Sequence, residues 1–290
     1  MESLTDKLKE YAKECRVDLV GIANIERFKD IPQKNNPSAI FPETKSVIVI
    51  GKRITRGTLR GIEEGTQFNT YNLYGYNWLE DRFLSITALK VSEFLEDNKW
   101  EAVPLLNLPV QMPAMGIPVK ENLPAPNVLI DFDDAAVRTG LGEIGYIRVF
   151  LTPEFGPRQR FFLILTDAPL EPTPISKENI CDRSKDYKKY CPLKAIDTDK
   201  EEILEICEKK MKVATIDYSK CMNCQNGAFK NNRHPLGTPD RLGAICVRSY
   251  LVHLEKNNRL KNTFINQFRK RPTWQILDNK SIIEEGSEIE

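Results

Sequence analysis

The chain has 290 residues, with 42 Lys or Arg against 41 Asp or Glu, for a formal net charge of +1. Its 41% hydrophobic and 29% charged residues are the composition of an ordinary globular protein, long enough for one large domain or two modest ones. The balanced charge marks neither a nucleic-acid footprint nor a membrane-surface patch.

Residues 1–15 are charged and amphipathic and lack the apolar h-region of a signal peptide. The longest apolar runs, 47–50 and 161–166, fall far short of the roughly 20 residues of a membrane helix. The expectation is a soluble, cytoplasmic protein with no membrane and no nucleic-acid partner.

Leu4, Leu8, Tyr11 and Cys15 share one face of a helical repeat, so the chain opens with a helix. Strands are predicted at 18–23 and 46–51, the second buried on both faces by composition. Residues 52–66, with three glycines, read as a loop. A long helix over 69–97 follows, carrying Leu84, Ala88, Val91 and Leu95 on one face and stopping at Asn98. A strand at 101–106 leads into a stiff segment, 109–126, with prolines at 109, 113, 118, 124 and 126. Asp131 is placed to cap a short helix over 135–139, which Gly140 ends. Strands at 146–151 and 161–166 come next. This alternation predicts an α+β layered domain up to residue 172, a cysteine-bearing module over 173–260 made of loops and short helices, and a tail over 261–290 whose acidic end frays.

Six of the seven cysteines lie after residue 180. In a reducing compartment such a group points to a metal rather than to disulfides; Cys15, standing apart, reads as a small buried hydrophobe. Bacterial ferredoxins hold iron–sulfur clusters with a C-x2-C-x2-C-x3-C-P run. The run from Cys181 to Cys191, followed by Pro192, keeps that ten-residue frame, with Ser184 and Tyr187 at the two inner positions. Cys221 and Cys224 form a C-x2-C pair downstream. One site therefore survives, built from Cys191, Cys221 and Cys224 with Cys246 or Cys207 as fourth ligand, and Cys181 lies outside it. Four thiolates suit either a [4Fe–4S] cluster or zinc; the plain alternative is a set of inert thiols. His253 is a poor fourth ligand, because a helix over 244–255 would put it roughly 10 Å from Cys246.

The glycine turn 139–145 (Thr-Gly-Leu-Gly-Glu-Ile-Gly), the run 151–158 (Leu-Thr-Pro-Glu-Phe-Gly-Pro-Arg) and the run 165–172 (Leu-Thr-Asp-Ala-Pro-Leu-Glu-Pro) closely resemble the epoxyqueuosine reductase and reductive dehalogenase group. The resemblance spans most of residues 15–275. It implies a nitroreductase-like α+β core that binds cobalamin with its base off, followed by a degenerate dicluster ferredoxin-like module. It places corrinoid contacts along Gly140, Leu141, Gly142, Gly145, Tyr146, Pro153, Gly156 and Arg158. Glycines also let backbone approach a large planar ligand closely.

Two departures stand out. Alignment through the glycine turn puts Pro126 where epoxyqueuosine reductases carry a proton-donating aspartate, leaving Tyr146, Asp131 and Asp134 as candidate acids. The cysteine losses leave ligands for one cluster instead of two. The resulting expectation is a cobalamin-binding oxidoreductase with one [4Fe–4S] cluster, acting on a small molecule that the sequence does not name and fed by that cluster or by an external electron donor. A non-catalytic cobalamin carrier and an FMN enzyme are the alternatives.

Overall fold

The computed structural model describes residues 2–277 and the backbone of 281–284. The chain divides into two compact units, neither of them a continuous segment: Met1–Arg53, Leu79–Leu141 and Arg160–Ser176 form the first, and Ile54–Trp78, Gly142–Gln159 and Lys177–Glu290 the second.

The first unit is built on a four-stranded sheet in the order Leu19–Asn24, Ser46–Arg53, Gln159–Thr166, Ala102–Leu105. The first pair is antiparallel with Leu19 opposite Gly51, and the last is antiparallel with Ala102 opposite Thr166. Val47, Ile48, Val49 and Ile50 are all fully buried, as an unbroken β-branched run requires. The helix Leu4–Glu14 is capped by Ser3, whose side chain accepts from the Asp6 amide. Its Leu8 and Ala12 join Ala88, Val91 and Leu95 of the helix Ser85–Asp97 against Ile22, Ile48, Ile50, Phe162 and Ile164 of the sheet. Tyr11 stacks on Phe94 with ring centroids 4.9 Å apart.

Asp131 caps the helix Phe132–Arg138 as expected, accepting from the Asp133 and Asp134 amides. Gly140 ends the turn that follows at φ +78°, and a Cβ there would overlap the Pro174 carbonyl. The predicted helix over 69–97 is less regular than its period suggests. Leu79–Leu84 is π-helical ahead of Ser85–Asp97, and in the second unit Asn69–Tyr71 leads into the π-helical Asn72–Asn77.

The second unit is organised around the helix Ile245–Lys256, whose Ile245, Val247, Arg248, Tyr250, Leu251 and Leu254 are all buried. A helix buried on every side is a core element, and its charged residue must be paired. Arg248 meets Glu63, which also binds Arg269 Nε at 2.6 Å. The unit also holds a hairpin of Ile196–Ile206 with Lys209–Ile216, the short pair Glu143–Ile144 with Phe150–Leu151, and the helix Tyr218–Met222. The hairpin corrects the expectation that the cysteine-bearing segment is all loops and short helices. The strand predicted at 146–151 shrinks to its last two residues. The acidic end of the tail lies outside the described residues, apart from the backbone up to Glu284.

Candidate metal centre

Each cysteine of the predicted site is positioned by local structure in the second unit. Asp217 caps the helix Tyr218–Met222 by accepting from Ser219 N at 3.1 Å, which fixes Cys221 within that helix. Cys224 N then donates to Cys221 O at 3.1 Å. Burial raises the Cys224 thiol above its usual value, opposed by the nearby Asn226 and Ala228 amides. Asn226 is itself fully buried and pinned, its Oδ1 accepting from Ile276 N at 2.7 Å. Cys191 follows the 3-10 turn Lys185–Tyr190, and its sulfur accepts from Ala195 N at 3.3 Å. Cys246 sits in the first turn of the buried helix.

These four thiols share one electrostatic neighbourhood. Cys246 feels the charge of Cys191, Cys224 and Cys221, and Cys221 feels that of Cys191 and Cys224. Burial pushes Cys221 up to about 11 and Cys246 up to about 12, with their sulfur neighbours adding to the rise and Arg241 opposing it. Among the described residues no three potential ligands already stand at metal-holding spacing. Charge coupling reaches further than a metal–thiolate bond, so the thiols are gathered without being drawn in to bonding distance. Cys207 occupies the hairpin turn at φ +47°, and Cys246 is the cysteine that couples to Cys191, Cys221 and Cys224.

Cys181 sits elsewhere in the unit, buried, with its sulfur accepting from Tyr146 N at 3.4 Å and Arg183 N at 3.3 Å. The two inner positions of the ferredoxin frame have new work. Ser184 caps the 3-10 turn by accepting from Asp186 N. Tyr187 is fully buried among Tyr250, His253, Tyr190 and Tyr146, at centroid distances of 4.6, 5.2, 5.8 and 6.1 Å. His253 is spent on Asp182, at 2.7 Å, and Tyr187 donates to the same carboxylate.

The residues named for corrinoid contact fall in both units, Gly140 and Leu141 in the first and the other six in the second. A Cβ at Gly142 would overlap the Leu151 carbonyl, and one at Gly145 would meet the Tyr250 hydroxyl at 2.6 Å, so the chain's own atoms fill these faces. Gly156 closes the 152–156 turn at φ +61°, and Pro153 O accepts from Lys261 N. Arg158 is buried, not at the surface, and donates to Ile54 O at 2.7 Å and Asn262 Oδ1 at 2.8 Å.

The candidate acids are similarly committed. Tyr146 donates to Glu201 at 2.6 Å, and burial together with that carboxylate holds its proton far above the usual tyrosine range. Asp131 is the helix cap. Burial raises Asp134, which pairs with Arg138 Nε at 2.5 Å.

Two buried charged residues of this region escaped the sequence reading. Glu143, inside the glycine turn, is fully buried; its carboxylate accepts from the Ile180 and Cys181 amides and pairs with Arg183 at 2.9 Å, fixing the first cysteine of the frame. Only its place in the turn motif pointed to it. Arg241, buried with its guanidinium donating to Ile147 O and Arg148 O, left no pattern at all.

No protein-family description matches the chain, and neither does any curated protein. Solved structures do match. An epoxyqueuosine reductase from Bacillus subtilis gives a TM-score of 0.52 at 18% identity, covering 92% of this chain and 68% of that one. A reductive dehalogenase described with a mechanism for B12-dependent dehalogenation gives 0.53 at 14% identity, covering 94% of this chain and 38% of that one. An epoxyqueuosine reductase solved with a tRNA-Tyr stem loop gives 0.45 at 19% identity over 66% of this chain, which spans about half of it, 52%. No helix among the described residues is long and apolar enough to cross a membrane. The mixed α/β fold of this chain is the one shared by epoxyqueuosine reductases and reductive dehalogenases.

Proposed function

We propose that the chain is a cobalamin-binding oxidoreductase with a nitroreductase-like core and a degenerate ferredoxin-like module that holds one [4Fe–4S] cluster. What supports this reading is the charge coupling among Cys191, Cys221, Cys224 and Cys246 in a chain with this fold. The donor chemistry fits: four thiols, with the Cys191 sulfur accepting from Ala195 N at 3.3 Å, the kind of bond that tunes a cluster. When bound, the corrinoid would supply the reductive chemistry and the cluster one-electron transfer.

The rest is the work of the chain's own residues. Cys191, Cys221, Cys224 and Cys246 bind, Asn226 orients Cys224, and the buried helix carrying Cys246 shields the site from water. Tyr187 and its aromatic neighbours fill the surroundings of Cys181. The corrinoid half of the reading rests on fold and motif, because the glycine faces are filled by protein.

A second reading, a cobalamin carrier without catalysis, is favoured by one observation: Tyr146, Asp131 and Asp134 all have their protons or carboxylates engaged. The ultraviolet–visible spectrum of anaerobically purified protein, before and after hydroxocobalamin, tests the proposal. A corrinoid band that shifts and co-elutes, beside a bleachable cluster absorbance, is the expected result. A shifted corrinoid band without cluster absorbance favours the carrier, and a flavin spectrum overturns both.

A further inference from the structure

Two cavities adjoin within the first unit. One, of 220 Å³, is walled by Ile40, Leu106 and Phe132; the other, of 260 Å³, by Phe28, Ile31 and Val110; and Ile130 lines both. Together they fall in the range of about 300–1,000 Å³ usual for small-molecule sites. Their walls are tied in place. Asn35 Nδ2 donates to Leu129 O at 2.5 Å and Leu129 N to Lys34 O at 3.3 Å, which holds the stretch around Ile130 against the turns that carry Ile31 and Asn35.

The charge gathers at one end. Asp131 and Asp134 line the 260 Å³ cavity, and among the described residues no lysine or arginine lines either cavity. Asp131 spends one oxygen on its helix cap, accepting from the Asp133 and Asp134 amides at 2.9 and 3.1 Å; its other oxygen has no partner among the described residues. Asp134 must share Arg138 with Asp30. Burial raises the Asp134 carboxyl above its usual value, and the charges of Asp131 and Asp30 add to that rise against Arg138. Asn35, with its Nδ2 turned to Leu129, offers only its carbonyl oxygen. A ligand therefore meets acceptors and negative charge at this end, and largely apolar walls beyond it. An anion would be repelled, and a neutral hydrocarbon would strip water from the carboxylates without replacing it. An ammonium group brings both the charge and three donors.

We propose that the two cavities form one binding site for an apolar primary amine, with the ammonium group at Asp131 and Asp134 and the hydrocarbon body running past Ile130 between the walls of both. This site is independent of the corrinoid and of the thiols. The carboxylates set the sign of the ligand's charge but add modest affinity, because Asp131 is exposed; burial of the hydrocarbon supplies the larger share.

Isothermal titration calorimetry of the full chain tests this with n-hexylammonium and n-octylammonium, and with n-octanol and octanoate beside them, all below their micelle concentrations. Octylammonium should bind at least about tenfold tighter than hexylammonium, since each buried methylene is worth about fourfold, and octanoate should bind far more weakly than either. Asp131→Asn keeps the helix cap, because asparagine caps as well as aspartate. It should weaken octylammonium about three- to fivefold and leave octanol unchanged. Val110→Trp should fill the 260 Å³ cavity and abolish binding of both. A parent protein that does not bind octylammonium overturns the proposal, as does one that binds octanoate equally well. Parental affinity for octylammonium in Val110→Trp also overturns it, because the ligand would then sit elsewhere. Should Val110→Trp fail to fold by circular dichroism, Asp131→Asn decides: an affinity for octylammonium equal to the parent's sinks the site. A protein that passes these tests yet binds neither corrinoid nor metal loses the function proposed above and keeps this site.

Discussion

Replacing Tyr187 with alanine tests whether the lost half of the ferredoxin frame has become core. The ring is fully buried against three other tyrosines and His253, the nearest centroid 4.6 Å away. Losing the burial of an aromatic side chain removes about 2 kcal/mol, and losing the closest aromatic pair about 1 kcal/mol more. Rigid neighbours close a cavity only partly, which adds a further cost, so the total falls near 4 kcal/mol, within the range of about 3–5 kcal/mol seen for buried aromatic residues. At about 2–4 °C per kcal/mol for a unit of this size, the melting transition of metal-free protein should drop by roughly 8–15 °C. Thermal unfolding followed by circular dichroism reads it, with exposed Ile265→Ala as a control that should not move. A drop under about 2 °C would refute the reasoning, because Tyr187 would then be filling a cluster's place without holding the unit together.

Gly142→Ala should cost soluble yield and stability in the absence of any cofactor, since its Cβ would overlap the Leu151 carbonyl; a stable variant that has lost only corrinoid binding would return this glycine to a ligand role. Burial opposes the charge of Asp182, but bonds from Tyr187 and His253 outweigh it and lower its pKa. The stability it lends is present above the unfolded aspartate value, about 3.9, and is lost as pH falls through the folded one. Asp182→Asn should flatten stability against pH on the acid side, and an unchanged acid limb would discount this pair. Cys15→Ser should leave bound metal unchanged while Cys221→Ser lowers it, as metal analysis of the two proteins will show; equal loss in both would dissolve the assignment.

Local periodicity made much of the first unit legible. The repeat of Leu4, Leu8 and Tyr11, the β-branched run around Val49 and the Asp131 cap each encode their element within a few residues. The hairpin of Ile196–Ile206 with Lys209–Ile216 did not stand out, for two reasons. Its first strand carries Asp197, Lys200, Glu201 and Glu202 on a mostly exposed ribbon, against strand propensity. Its turn uses Cys207 and Glu208 at positive φ, where the usual signal is Asn-Gly or a related glycine pair. The π-helical turns near Tyr76 and Arg82 leave the apolar period almost intact, so spacing alone reads them as one regular helix.

At the site, the Cys-Pro frame and the C-x2-C pair pointed to the thiols because ligand spacing is written along the chain. The choice between Cys207 and Cys246 required tertiary structure. Arg241 was invisible for the same reason: one arginine in a loop acquires meaning only from what is buried beside it. The glycines of the 139–145 turn are a different case. They signal close backbone approach, and within the chain the groups that approach them are Pro174, Leu151 and Tyr250.

The most direct test of the central claim is iron and acid-labile sulfide, measured on anaerobically purified protein and on Cys191→Ser beside it. The account predicts iron and sulfide near four each per chain in the parent, as one [4Fe–4S] cluster requires, and a marked loss in Cys191→Ser. Zinc near one per chain, or equal iron in parent and variant, would contradict it.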